Sequence, residues 1–219
     1  MNGRGILLVV DGPEGAGKST QVARIGALLE ARGAEHVELR EPGGTALGDR
    51  IRSILLDPST EMTARAEAAL FMASRAELVS EVVRPALARG AVVTLDRFFL
   101  STYAYQVHGR GLPETQVREA NALAVDGLVP DLTILLQLSF EAGLQRADRR
   151  GGRDRIEVAG DDFHRKVEQA FALFATQPWQ AEHPECGPIA AVDATGKAGE
   201  VTNRIMQVLA SRWPGVFIS

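Results

Sequence analysis

The chain is poor in features that would send it to an oxidising compartment, a membrane or a polynucleotide. Cys186 is the single cysteine in 219 residues, so no internal disulfide is possible and a reducing compartment is expected. No apolar run approaches the roughly 18 residues of a spanning segment. No basic leader with a small-residue cleavage site precedes the first apolar run at Ile6, so the expected location is cytoplasmic, with no membrane partner. A formal charge of −4 offers no basic footprint for a phosphate backbone, and no nucleic-acid polymer is expected as partner. The four histidines (His36, His108, His164 and His183) lack metal-ligand spacing, and no Ser-His-Asp or Cys-His order is evident.

What is present has the proportions of a globular enzyme. Apolar residues make up 45% and charged residues 24%, with no repeat, low-complexity tract or linker, so residues 1–219 read as a single domain. Apolar runs at 6–10, 37–39, 91–95, 132–138 and 189–192 read as five strands. Between them lie helical patterns at 22–29, 46–56, 63–88 (bent near Pro85), 115–126, 140–149, 161–175 and 198–212. Near-continuous apolar strands separated by helices predict an α/β fold, a mostly parallel five-stranded sheet with helices on both faces.

The most informative stretch is "GPEGAGKST", residues 12–20, directly behind the first apolar run. Gly12, four residues, Gly17, Lys18 and Ser19 satisfy the P-loop spacing, with a strand before and a helix after. In such a loop Gly12, Pro13, Glu14, Gly15, Ala16, Gly17, Lys18, Ser19 and Thr20 wrap a triphosphate. Backbone N–H groups and a helix N-terminus face the anion, Lys18 adds a charge, and the Ser19 hydroxyl is available to Mg²⁺.

A P-loop does not by itself separate a kinase from a GTPase or a mechanical ATPase. No Asn-Lys-x-Asp guanine-reading motif occurs, and the strand at 91–95 ends in Asp96-Arg97 rather than Asp-Glu. Asp96 at a strand's carboxyl end can hold a Mg²⁺ shell, and Arg97 places a cationic fork where a second phosphate could lie. The alternative for this pair is a surface ion pair. Two phosphate-reading devices suggest transfer between two nucleotides.

The chain resembles the bacterial thymidylate kinases, on segments spread over nearly its whole length. These are "VDGPEGAGKST" at 10–20, "REPGGT" at 40–45, "EAALFMASR" at 67–75, "DRFFLSTYAYQ" at 96–106, "PDLTILL" at 130–136 and "DRIE" at 154–157. The resemblance implies a P-loop kinase fold with a short mobile lid. It implies an enzyme that moves the γ-phosphoryl group of ATP to dTMP with Mg²⁺, and a homodimer. It implies that Phe71 stacks on thymine, where core packing is the alternative, and that Arg75, one turn on, donates to a base carbonyl. Arg97 and Arg52 correspond to clamps on the acceptor phosphate, Arg52 having the alternative of a solvated helix charge. Glu14 corresponds to a carboxylate near the sugar 3′-hydroxyl, Thr102 and Gln106 to base contacts, Tyr105 to a ring crowding the sugar 2′ position, and Pro42 to the sugar pocket. Asp11 stands where Glu is common in the family, and Phe98 where Tyr is common.

Residues 144–157, "LQRADRRGGRDRIE", carry Arg146, Arg149, Arg150, Arg153 and Arg155 around two glycines, which on composition alone is a solvated loop or a lid over triphosphate. The kinase resemblance selects the lid. The resemblance implies a transition-state arginine that family members carry either in the P-loop or in the lid; residues 13–16 contain none, so it implies the lid here, with Arg146 and Arg150 the first candidates. Asp148 stands where a basic residue is more usual. Another nucleoside-monophosphate kinase, or a P-loop nucleotide sensor that binds ATP without turnover, are the alternative readings.

Overall fold

The computed structural model describes residues 4–148 and 154–218. Five strands form one sheet: β1 (Ile6–Asp11), β2 (His36–Arg40), β3 (Val92–Asp96), β4 (Leu132–Gln137) and β5 (Ile189–Asp193), in the order β2-β3-β1-β4-β5. Every pairing is parallel, so the sheet is wholly rather than mostly parallel. Parallel strands need crossovers, and helices supply them: α1 (Lys18–Ala31), α2 (Ala46–Leu56), α3 (Ala64–Leu78), α4 (Arg84–Ala88), α5 (Phe99–Thr102) and α6 (Glu114–Val125) in the first part of the chain. Then come α7 (Phe140–Asp148), α8 (Asp161–Phe174), α9 (Gln177–Glu182), α10 (Ala198–Arg212) and α11 (Pro214–Phe217).

Side-chain alternation along β1 divides the interior into two cores. Leu7 and Val9 face a core with Leu78, Leu95, Phe171 and Phe174, whereas Leu8 and Val10 face one with Ile25, Leu29, Ile205 and Leu209. Burial of each such side chain contributes about 1.5–3 kcal/mol, and together they clamp the central strand from both sides. The in-register ladder pairs Val10 with Asp96 and Arg40 with Asp96. The carboxyl ends of β1, β2 and β3 therefore lie side by side, and polar residues there share one edge of the sheet.

Two stretches carry π-helical turns. The pattern at 63–88 reads as one helix bent near Pro85, and the chain is helical without a break from Ala64 to Ala88, with a π-helical turn at Val79–Val83 directly ahead of Pro85. A π-helical turn just before a proline is one way a continuous helix accommodates the ring and the missing N–H. The sequence reading assigns no element to residues 99–109. The chain is nonetheless helical there, α5 running into a π-helical stretch over Tyr103–Gly109. Phe99, Leu100, Tyr103, Ala104 and Tyr105 are buried there. Among the described residues no helix is long and apolar enough to cross a membrane.

Candidate active site

The P-loop leaves β1 at Asp11, whose carboxylate is fully buried and accepts four hydrogen bonds. Oδ1 accepts from Gly12 N at 2.8 Å and Ser101 Oγ at 2.7 Å; Oδ2 accepts from Phe98 N at 3.1 Å and Ser101 N at 3.0 Å. One short side chain thus ties the first turn of the P-loop to the segment after β3. Gly17, at φ 88°, occupies the left-handed conformation that precedes α1 and leaves the first turn of that helix without a side-chain cap. Gly15, at φ 72°, passes against α7: a Cβ there would meet Gly143 O at 2.2 Å, and a Cβ on Gly143 would meet Glu14 O at 2.4 Å. Glycine on both sides lets the two backbones touch.

Lys18 is buried, its Nζ donating to Pro13 O at 2.7 Å, and burial and the nearby Arg97 push its pKa down to about 8. An anion in the loop would reverse that shift by favouring the ammonium. Ser19 Oγ donates to Asp96 Oδ2 at 2.5 Å, which joins a P-loop hydroxyl to the carboxylate that ends β3.

Arg97 carries a positive φ of 73°, costly for a side chain with a Cβ, and its N–H is held by Val10 O at 3.0 Å. This turn sends the guanidinium back over the P-loop. Nη2 donates to Glu14 Oε2 at 2.8 Å, Nη1 to Ser101 Oγ at 2.9 Å and Gly12 O at 3.2 Å, and the group lies 5.3 Å from the Tyr105 ring centroid. Burial disfavours the cation there, but Tyr105, Glu14, Asp11 and Asp96 outweigh it and raise its pKa. The phenol of Tyr105 is pushed by burial up to about 12, so it stays neutral.

Around these groups opens a cavity of about 670 Å³. It is lined by Glu14 to Thr20 of the loop and by Pro42, Arg52, Phe71, Arg75, Asp96, Arg97, Thr102, Tyr105, Gln106 and Arg146. The structure thus brings to one cavity every described candidate from the sequence except Gly12 and Pro13, whose carbonyls instead accept from Arg97 and Lys18. Arg150, like Arg149 and Arg153, lies outside the described residues. Arg146 donates to Ala194 O at 3.1 Å and Gly196 O at 3.3 Å, which holds it on the loop between β5 and α10.

Arg75 is 2% exposed, and all five of its N–H groups have protein acceptors. Nε and Nη2 bind Glu41 Oε2 at 2.8 and 2.5 Å, Nη2 also binds Phe98 O, and Nη1 binds Thr102 Oγ1 at 3.0 Å and Asn121 Oδ1. Its guanidinium lies 4.6 Å from the centroid of Phe98, a ring buried completely and needing no hydroxyl partner, which explains why phenylalanine is accepted there. Burial raises the pKa of Glu41, and Arg75 opposes the shift.

Sequence reasoning passed over Arg40, Glu41, Ser101, Asp154 and His164, which also line the cavity. Arg40 stands within reach of Arg52, whose pKa is lowered by burial and then by Arg40. Arg52 donates to Pro42 O at 2.9 Å. Crowding guanidinium groups at a cavity wall is what an anion site requires. The signal was present in "REPGGT": an arginine ending a strand beside Asp96 points to the same edge.

A Thymidylate kinase family model matches residues 10–185, four-fifths of the chain, including the P-loop and most of the residues that line this cavity. The chain belongs to the thymidylate kinase family. The thymidylate kinase of Deinococcus radiodurans is 45% identical over 209 residues, covering 95% of this chain and 98% of that protein. That of Carboxydothermus hydrogenoformans is 44% identical over 172 residues, with 78% and 85% covered, and that of Pseudomonas putida is 48% identical over 168 residues, with 76% and 80% covered. The P-loop walls one end of the cavity, and Phe71, Thr102 and Gln106 line it away from the loop.

Proposed function

We propose that this chain transfers the γ-phosphoryl group of ATP to dTMP, giving dTDP and ADP, a step toward dTTP. The observation that carries the reading is Arg97, whose strained backbone aims one guanidinium at both Gly12 of the P-loop and Glu14, between the donor loop and the wall formed by Tyr105, Thr102 and Gln106. An anionic oxygen of the dTMP phosphate attacks the γ-phosphorus as the bond from that phosphorus to the β,γ-bridging oxygen breaks, and the electron pair leaves with ADP. The attacking oxygen is already deprotonated at neutral pH, so no general base is needed.

In this reading the P-loop N–H groups and Lys18 hold the donor, Arg97 and Arg52 hold the acceptor phosphate, and Phe71, Arg75, Thr102 and Gln106 hold the base. Pro42 and Tyr105 shape the sugar site, Glu14 lies by the sugar hydroxyl, and arginines of the lid at 144–157, Arg146 and Arg150, close over the transferring group. For Arg146 that role means leaving the carbonyls of Ala194 and Gly196. For Arg75 it means exchanging one protein acceptor, such as Thr102 Oγ1, for a base carbonyl.

The residues present fit Mg²⁺. Ser19 and Asp96 offer a hydroxyl and a carboxylate already 2.5 Å apart, and among the described residues no cluster of three His, Cys, Asp or Glu forms a competing cage. This donor set suits a hard cation that keeps most of its waters and takes one or two protein oxygens. Bound there, Mg²⁺ would neutralise charge on the β- and γ-phosphates. A homodimer and a cytoplasmic single-domain enzyme belong to the same proposal. Exposed Leu47 and Ile54 on α2 and Leu123 on α6, helices that both pack on α3, are consistent with a subunit face.

The test is ADP release from ATP and Mg²⁺ with dTMP, dUMP, dCMP, dGMP or AMP as acceptor, repeated with Arg97→Ala. The reading expects strongest turnover with dTMP and a loss of about 10²–10³ in kcat in the variant. A different preferred acceptor overturns the base assignment, and ATP binding without turnover replaces the kinase by a nucleotide sensor.

A further inference from the structure

Glu67 begins the "EAALFMASR" segment, one helical turn before Phe71 and two before Arg75, yet it does not line the cavity. It is 1% exposed and lies directly behind Gln106, which does line it. Oε1 accepts from Gln106 Nε2 at 3.0 Å and from Arg110 Nε at 3.1 Å. Oε2 accepts from Arg110 Nη2 at 3.0 Å and lies 2.8 Å from Arg155 Nη2. Arg155 is itself anchored at the end of α2, its Nε donating to Leu55 O at 2.8 Å and its backbone N to Leu56 O at 3.2 Å. Burial favours the protonated acid, but Arg110, Gln106 and Arg155 together hold the pKa of Glu67 below the usual value.

An ionised carboxylate has no proton to donate, so only the NH₂ of a glutamine amide can face it. The two ends of the Gln106 amide are therefore not interchangeable: Nε2 is fixed toward Glu67, and Oε1, which has no donor among the described residues, is left for whatever enters the cavity. An amide oxygen there accepts from a ring N–H and repels a ring-nitrogen lone pair.

We propose that Glu67 is a specificity-determining positioning residue, whose carboxylate locks the Gln106 amide with its oxygen toward the base pocket. The pocket thereby takes pyrimidine monophosphates with an N3–H donor and refuses those with an N3 lone pair. The inference rests on the dTMP kinase reading above. Thymine and uracil carry the N3–H donor; cytosine carries the lone pair. In Glu67→Gln the new side chain presents both a donor and an acceptor, Gln106 is free to turn over, and the lock is lost. A site built around one hydrogen-bond polarity loses its power to discriminate when that polarity becomes ambiguous.

The experiment measures kcat/KM for dTMP, dUMP and dCMP in the wild type, Glu67→Gln, Gln106→Met and the double variant. The expected result is a fall of at least tenfold in the dTMP-to-dCMP ratio in Glu67→Gln, with the dTMP-to-dUMP ratio within twofold of wild type. A purely structural lesion would instead lower all three acceptors together. Gln106→Met should show the same selective fall, and adding Glu67→Gln to it should change the dTMP-to-dCMP ratio no further than twofold. An unchanged dTMP-to-dCMP ratio in Glu67→Gln overturns the proposal, as does an additive effect in the double variant. If Glu67→Gln does not fold, an unchanged ratio in Gln106→Met overturns it, since the amide that Glu67 orients would then read nothing. Wild-type protein inactive on dTMP would refute the kinase reading instead, so the two failures are distinct.

Discussion

Asp11→Asn tests whether the buried carboxylate behind the P-loop is a strut for both halves of the site. The carboxylate accepts from Gly12 N, Phe98 N, Ser101 N and Ser101 Oγ. Asparagine keeps one acceptor oxygen, and its NH₂ must face one of the two pairs of donors. Facing Phe98 N and Ser101 N, it would strand two backbone N–H groups. Facing Gly12 N and the Ser101 hydroxyl, it strands only one, because the hydroxyl can turn and accept. The second arrangement is cheaper and still leaves a buried N–H unpaired, at about 1–3 kcal/mol, while the surviving bonds lose the extra strength of an ionised acceptor. A total near 3 kcal/mol follows, and in a chain of this size it lowers Tm by about 6–12 °C. The stranded group belongs to the P-loop, so the KM for ATP should rise more than that for dTMP. Differential scanning fluorimetry and initial rates measure both. A Tm within about 2 °C of wild type, or a KM for dTMP that rises more than that for ATP, would refute the reasoning.

Four further perturbations follow from the structure. Gly143→Ala places a Cβ 2.4 Å from Glu14 O, and this backbone collision should cost about 1–3 kcal/mol and raise the KM for ATP. Gly199→Ala in α10, with only Arg24 Nη1 at 3.9 Å, should stabilise by up to about 1 kcal/mol; thermal melts of the pair check both signs. Arg75→Met leaves Glu41 buried without its cation, at about 3–5 kcal/mol near neutral pH. The raised pKa of Glu41 means that its contribution is complete below the ordinary glutamate range and is lost as pH rises through the folded value, so urea unfolding should show a smaller deficit at pH near 5 than near 8. Burial lowers the pKa of His108, a shift that Glu114 opposes and His183 reinforces. Its contribution is present above the ordinary histidine value and lost as pH falls through the folded one, so His108→Gln should lose less stability on acidification than the wild type; parallel denaturation curves would contradict this.

Residues whose reasons are local were readable from the sequence, and residues whose reasons lie in a distant segment were not. The five strands stand where apolar runs announced them; the central three, β1, β3 and β4, read most plainly because a parallel strand covered on both faces is apolar almost throughout, whereas the edge strands β2 and β5 are partly exposed and gave shorter runs. The P-loop was legible for the same reason: its backbone conformation is dictated by glycines at fixed spacing. Glu67, by contrast, reads as an ordinary acidic residue in the first turn of a helix. Its meaning comes from Gln106, Arg110 and Arg155, which are 39, 43 and 88 positions away. Gly143 looks like a mild helix defect until Gly15 arrives against it from the other side of the sequence. The helical run after Arg97 carries no clear amphipathic period, because nearly all of its residues from Phe99 to Gln106 are buried. Asp11, Glu67 and Gly143 act on the cavity chiefly through other residues: Asp11 through Gly12 and Ser101, Glu67 through Gln106, Gly143 through the Glu14 backbone. A family motif identifies the groups suited to touching ligand, and the structure adds the groups that fix which way those side chains and loops face.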